Sequence, residues 1–183
     1  MMFLWVILAV ILILGAWFIL TYNGLIGFRN RVDEAWSDIE VQMKRRFDLI
    51  PNLVETVKGY AKHEEGVFQK VTEARTMAMA AKTPAEHAVA ENALNQTLKS
   101  LFAVAEAYPS LQAAGNFMNL QQELSDAEDK IMMSRRFYNG NVRDYNTKLQ
   151  VFPTNMLAGA FGFTKRDFFD APDEVTQAPS VTF

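Results

Sequence analysis

The stretch "KRRFDLIPNLVETVKGY", Lys44 to Tyr60, decides the fold. Phe47, Ile50, Leu53/Val54 and Val57 step by three and four, the spacing of one buried face of an α-helix. Pro51 falls in the middle. Proline has no N–H, and its ring collides with the carbonyl four residues back. The apolar phase nevertheless holds on both sides. Working outward, the stripe reaches back through Leu25, Phe28, Val32, Ala35/Trp36, Ile39 and Met43. It continues forward through Tyr60/Ala61, Phe68, Val71 and Ala74. Two arrangements fit: one long helix kinked at Pro51, or two helices that reverse there. Ile50 precedes the proline and is biased away from helical geometry, and Asp48 and Asn52 stand close enough to satisfy freed backbone groups. No glycine sits at the proline to reverse the chain, and Gly59 and Gly66 weaken a helix without ending it. Lengths argue the other way. A straight helix from Leu25 to Ala80 would measure about 84 Å, against about 55 Å for the other long helix of the domain.

Two more helices follow. "TPAE" (83–86) is a capping box, with Thr83 as N-cap, Pro84 at N1 and Glu86 at N3. It opens a helix from Pro84 to about Ala107, with Val89/Ala90, Ala93/Leu94, Leu98, Leu101 and Val104/Ala105 inward. The third carries Phe117, Leu120, Leu124, Ala127, Ile131, Ser134, Tyr138, Val142, Tyr145 and Leu149 on one stripe and ends before Pro153. "TNMLAGAF" (154–161) predicts a short turn of helix capped by Thr154. The tail "APDEVTQAPSVTF" (171–183) has two prolines and no period, so an extended segment is expected. No stretch alternates as a strand does.

The chain opens on "MMFLWVILAVILILGAWFIL", without a charge from Met1 to Leu20. As a helix it spans about 30 Å, the thickness of a hydrocarbon core. Phe3, Leu4, Leu12 and Leu20 are typical of its apolar content. Trp5 and Trp17 lie near its two edges, as interfacial aromatics do. A cleaved signal peptide needs a basic start, a shorter apolar core and a small-residue cleavage site; the run has none of these. A retained membrane anchor is the expectation. Arg29 and Arg31 follow the span and nothing basic precedes it, so the positive-inside tendency puts the N-terminus outside and the folded domain in the cytoplasm.

The rest of the composition narrows the function classes. The chain has 183 residues, a net charge of −3 and no cysteine. The absence of cysteine removes disulfides, thiolate metal sites and cysteine nucleophiles. The acidic balance argues against a nucleic-acid partner. His63 and His87 are the two histidines. "HEEGVF" (63–68) resembles a zinc-protease helix, but Val67 stands where H-E-x-x-H needs histidine. Tyr60 and Pro84 occupy the positions where Glu-x-x-His would need glutamate. The acidic run Glu123–Asp129 lies on a continuous helix that aims its carboxylates in several directions, unlike a hard-cation loop. Asn95-Gln96-Thr97 is a glycosylation sequon in mid-helix. No catalytic, cofactor or metal residue is assigned.

Polar residues on or beside the stripes stand out: Glu64 on the first, Arg46 flanking it, and Glu128, Arg135 and Asn139 flanking the third. Two readings stand, surface charges at the edge of the seam or a partly buried network that fixes helix register. The basic cluster Lys44-Arg45-Arg46 reads as solvated or partner-facing. "FGFTKRDFF" (161–169), with Phe161, Phe163, Phe168 and Phe169, reads as a plug at the bundle end or as a patch for a partner or for lipid.

Several long stretches resemble the LemA family: "YNGLIGFRNRVDEAW" (22–36), "IEVQMKRRFDLIPNLVETVKGYAKHE" (39–64), "EAYPSLQAAGNFMNLQQELSDAEDKI" (106–131), "RRFYNGNVRDYNTKLQVFP" (135–153) and "AGAFGF" (158–163). The resemblance implies a bacterial protein with an N-terminal membrane segment and an antiparallel helical bundle. It implies no particular activity. Some members use a lipidated cysteine near the N-terminus; this chain has none, so the apolar helix must anchor it. The expected fold is all-α, with a transmembrane helix over 1–21, an antiparallel bundle of three to four long helices over 22–163 and an extended tail over 164–183. The expected function is a non-enzymatic, self-associating scaffold, single-pass in the bacterial inner membrane. The alternatives are an adaptor or regulator of another membrane protein, such as an envelope-stress protease, and, more remotely, a carboxylate-metal enzyme. Lipid and a second copy are the expected partners, and no cofactor is expected.

Overall fold

A computed structural model describes residues 1–169. The described residues form six helices and no strand: α1 (Met2–Lys58), α2 (Glu65–Ala80), α3 (Pro84–Glu106), α4 (Pro109–Gln112), α5 (Gly115–Gln150) and α6 (Thr154–Ala160). The fold is all-α, with an N-terminal helix long and apolar enough to cross a membrane. The tail over 171–183 lies outside the described residues. The described residues divide into two compact units, residues 1–37 with 137–166 and residues 38–136 with 167–169.

The first unit holds the start of α1, the end of α5 and α6. From Met1 to Leu20 every side chain of α1 is exposed; Phe3 is 80%, Leu12 65% and Leu20 72% exposed. The core begins beyond that run, at Leu25, Val32 and Ala35. It is completed by Tyr138, Val142, Tyr145 and Leu149 of α5 and Ala158 of α6. The Trp36 and Tyr138 rings meet edge to face at 5.4 Å. Thr154 does not cap α6: it is the first helical residue and is buried, and Pro153 holds the N-cap position. The end of α6 explains "AGAFGF". Gly162 has φ +69°. Its N–H donates to the Gly159 carbonyl and the Phe163 N–H to that of Ala158, a Schellman closure whose left-handed residue suits glycine. The reversal sets Phe161 and Phe163 against Tyr22, at 5.3 and 5.8 Å. Beyond it the Asn146 side chain clamps Arg166, donating to its carbonyl (2.8 Å) and accepting from its N–H (2.9 Å). The Arg166 guanidinium reaches Asp33 at 2.9 Å.

In the second unit α1 supplies Ile39, Met43, Phe47, Ile50, Leu53 and Val57, and α2 supplies Phe68, Val71, Ala74 and Ala78. α3 and the start of α5 add Leu94, Leu98 and Leu101, then Phe117, Leu124 and Ile131. The capping box is present as expected. Thr83 Oγ1 accepts from the Glu86 N–H, and Glu86 Oε2 accepts from the Thr83 and Lys82 N–H groups. Those backbone donors hold the Glu86 carboxyl below its ordinary value. Val89 differs from expectation. It is 62% exposed while its neighbour Ala90 is buried as expected, because the α3 face that turns inward also takes in His87 and Glu91.

Pro51 does not reverse the chain. α1 runs through it to Lys58, and the turn comes at 59–64, so Gly59 does end the helix. Glycine's low helix propensity weakens α1 there, and Ala61 turns into the core. The length conflict is thereby removed: from Leu25 to Lys58 α1 measures about 51 Å and α5 about 54 Å. The helix tolerates the proline because the group it orphans is answered. The missing N–H of Pro51 would have bonded the Phe47 carbonyl; Arg75 Nε of α2 donates to that oxygen at 2.7 Å instead. Arg75, rather than Asp48 or Asn52, fills this role.

Arg75→Met should therefore lower the unfolding free energy of the detergent-solubilised full-length protein by about 1–2 kcal/mol. In a Pro51→Ala background, which restores the intrahelical donor, the same change should cost clearly less. Urea unfolding of the four proteins of this double-mutant cycle checks it, and equal costs in both backgrounds would refute the coupling.

Candidate functional site

The polar residue that departs most from the bundle's apolar logic is Arg46. Counting along α1, Ile39, Met43, Arg46, Ile50, Leu53 and Val57 follow alternating steps of four and three, so the arginine occupies a core position. On α3 the same rhythm passes through His87, Glu91, Leu94, Leu98, Leu101 and Ala105, which places Glu91 in the core too. The two meet. Arg46 is 3% and Glu91 4% exposed, and Arg46 Nη1 donates to Glu91 Oε2 at 2.6 Å. Arg46 Nη2 donates to Asn95 Oδ1, one helical turn further along α3. Glu91 Oε1 is buried and accepts no hydrogen bond.

Burial governs this carboxyl. Desolvation pushes Glu91 above its ordinary 4.5; Arg46 and Arg135 pull it down and Glu128 pushes it up, without reversing the direction. His87, one turn before Glu91 on the same face, is held below its ordinary 6.5 by burial, against the opposing charges of Glu40 and Glu86. Beside the pair opens a cleft of about 330 Å³, lined by Arg46, Asn95, Lys99, Phe102, Ser125 and Glu128 among others.

Of the residues singled out from sequence, Arg46 enters the core, while its neighbour Lys44 stays exposed and bonds Asp48. The cluster Lys44-Arg45-Arg46 is thus not a single solvated or partner-facing patch. Glu128 and Arg135 act on Glu91 through charge, and Arg135 lies over the Phe169 ring at 4.4 Å. Glu64 sits at the N-cap of α2, half-buried and making no capping bond, and takes no part. Asn139 belongs to the other unit. Phe169 is 1% exposed, so it is a core residue and not part of an open patch. Glu91 and Asn95 were missed, although their signal was in the sequence: a glutamate in phase with Leu94 and Leu98. Among the described residues no three His, Asp or Glu side chains are grouped to hold a metal ion. What the arrangement can do chemically is favour one alignment, since sliding α3 along α1 by one turn would strand two charges away from water.

Removing one partner should expose that penalty. Arg46→Met alone should destabilise the solubilised protein by about 3–5 kcal/mol, and adding Glu91→Leu should restore most of the loss. Chemical denaturation of the single and double variants reads this directly.

The pH dependence has a definite sign. Because the folded-state value of Glu91 is raised, the native state holds its proton above pH 4.5, where the unfolded chain has lost it. Its contribution is therefore fully present below 4.5 and fades as pH rises through the folded value. His87 works in the opposite sense, losing stability as pH falls below 6.5, and it cancels when wild type is compared with Glu91→Gln. The stability of wild type relative to Glu91→Gln should fall as pH rises from 4.5 through the folded-state value and then level off, as denaturation midpoints across a pH series would show.

Residues 35–183 match the LemA family. Magnetosome protein MamQ 2 of Paramagnetospirillum magneticum is 25% identical over 177 residues, covering 82% of this chain and 65% of the relative. Magnetosome protein MamQ of Magnetospirillum gryphiswaldense is 24% identical over the same span. Protein LemA of Metamycoplasma hominis is 27% identical over 140 residues, covering 74% of this chain and 63% of the relative. The chain thus spans a little under two thirds of the length of these relatives. The matched region takes in α1 from residue 35 on, all of α5, Arg46, Glu91, Asn95 and the α6 turn, and on that match the chain belongs to the LemA family.

Proposed function

We propose that the protein is a non-enzymatic scaffold: an α-helical body tethered in a membrane by the start of α1, facing the cytoplasm and associating with further copies of itself. The observation that carries the reading is the uninterrupted α1. Every side chain of the apolar run from Met1 to Leu20 is exposed, Phe18 meeting Phe161 near its end, and the same helix goes on without a linker to the buried stripe that starts at Leu25. An exposed apolar surface of that length has a natural solvent in lipid. Self-association is supported by a second surface. Met77 and Val89 are each 62% exposed and flank an apolar groove between α2 and α3. Confinement to a membrane raises the effective concentration of such patches, so weak contacts suffice.

Alkaline extraction of native membranes should leave the full-length chain in the pellet. A single cysteine at Val89, in a chain that otherwise has none, should give cross-linked dimers with a short bismaleimide. Extraction into the soluble fraction refutes the anchor; monomers alone refute self-association. A stoichiometric foreign membrane protein in the cross-linked band would establish an adaptor instead.

A further inference from the structure

We infer that the α5–α6 end of the first unit dips into the same bilayer interface that α1 leaves. The inference rests on the anchor proposed above. It starts from an aromatic contact. Phe161, at the end of α6, lies edge to face with Phe18 at 5.5 Å and with Tyr22 at 5.3 Å. Phe18 belongs to the last turns of the uncharged run, so with that run in lipid, Phe161 stands at the boundary between acyl chains and headgroups. Around it the surface is apolar. Phe152 is 79%, Met156 67% and Phe161 50% exposed, and Val151 is exposed beside them.

Charge follows the same boundary. No charged residue occurs from Leu149 to Thr164, and none from Met1 to Phe28. Both uncharged stretches end in basic residues: Lys148 and Lys165 on one, Arg29 on the other, with the Arg29 guanidinium over the Phe163 ring at 5.8 Å. An apolar tip with an aromatic collar and a basic rim is the chemistry of an interfacial element facing phospholipid headgroups. A second copy of the chain would not need the tip to lose its charges at the same level as the anchor. Lipid accounts for both features with one contact.

The test uses the full-length protein in vesicles of phosphatidylcholine and phosphatidylglycerol. Single cysteines introduced as Leu12→Cys, Phe152→Cys, Met156→Cys and Asp144→Cys are labelled with an environment-sensitive fluorophore. Nitroxide lipids quench from the bilayer and iodide quenches from water. Position 12 should respond to deep nitroxides, positions 152 and 156 to shallow ones with blue-shifted emission, and position 144 to iodide. If 12 is quenched by lipid while 152 and 156 respond to iodide as 144 does, the interfacial tip is refuted and the anchor stands. If 12 is not quenched by lipid, both fall. If 152 and 156 are shielded from both quenchers, protein covers the tip and the inference is overturned.

Discussion

Backbone satisfaction is the constraint on which the rest depends. In lipid a peptide group has no water to bond, so with the first twenty residues in a bilayer, as proposed, a helix that pairs its own N–H and C=O groups is the form open to them. The same rule operates wherever the ladder is broken. At Pro51 the orphaned Phe47 carbonyl is taken by Arg75, so a residue that ordinarily ends helices sits inside one of 57 residues. At the start of α3, Thr83 and Glu86 answer the free N–H groups. At the end of α6, Gly162 folds back to answer the carbonyls. Each device sits where a helix is interrupted or must stop.

Against this ladder the side chains set alignment. Apolar residues at steps of three and four bring helices together but tolerate sliding, because one leucine packs much like another. Arg46 and Glu91 do not tolerate it. They occupy core positions on two helices, lose most of their hydration, and are compensated by each other only in one pairing. Burial raises the Glu91 carboxyl against the pull of Arg46 and Arg135, the mark of desolvation at the centre of the pair.

Much of this was legible. The 3–4 stripes located the helices, the capping box marked the start of α3 to the residue, and the uncharged run identified α1 as a membrane-length helix. Legibility failed where a local signal has a remote answer. Sequence left a continuous helix and a reversal both open at Pro51 because the residue that answers the proline, Arg75, lies 24 positions away on another helix. Gly59 looked tolerable because glycine costs a helix little until competing core contacts decide, and Ala61 made that decision. The site was half visible. Arg46 was noticed as a charge beside a stripe, whereas Glu91 was passed over because Val89/Ala90 and Ala93/Leu94 offered an apolar face that did not need it. Phe169 could not be told from Phe161 by sequence; the two differ only in what folds over them.

The missing linker between the span and the bundle has a mechanical side. A loop would absorb mismatch between an apolar segment and its bilayer. Here the first buried residue, Leu25, lies within five positions of Leu20 on one rigid helix. With the run in a bilayer as proposed, a change of thickness that tilts or shifts α1 moves it as a rod, and the Leu25–Val32–Ala35 face travels with it. Bilayer thickness would then bear on the packing of α1 against α5 and α6.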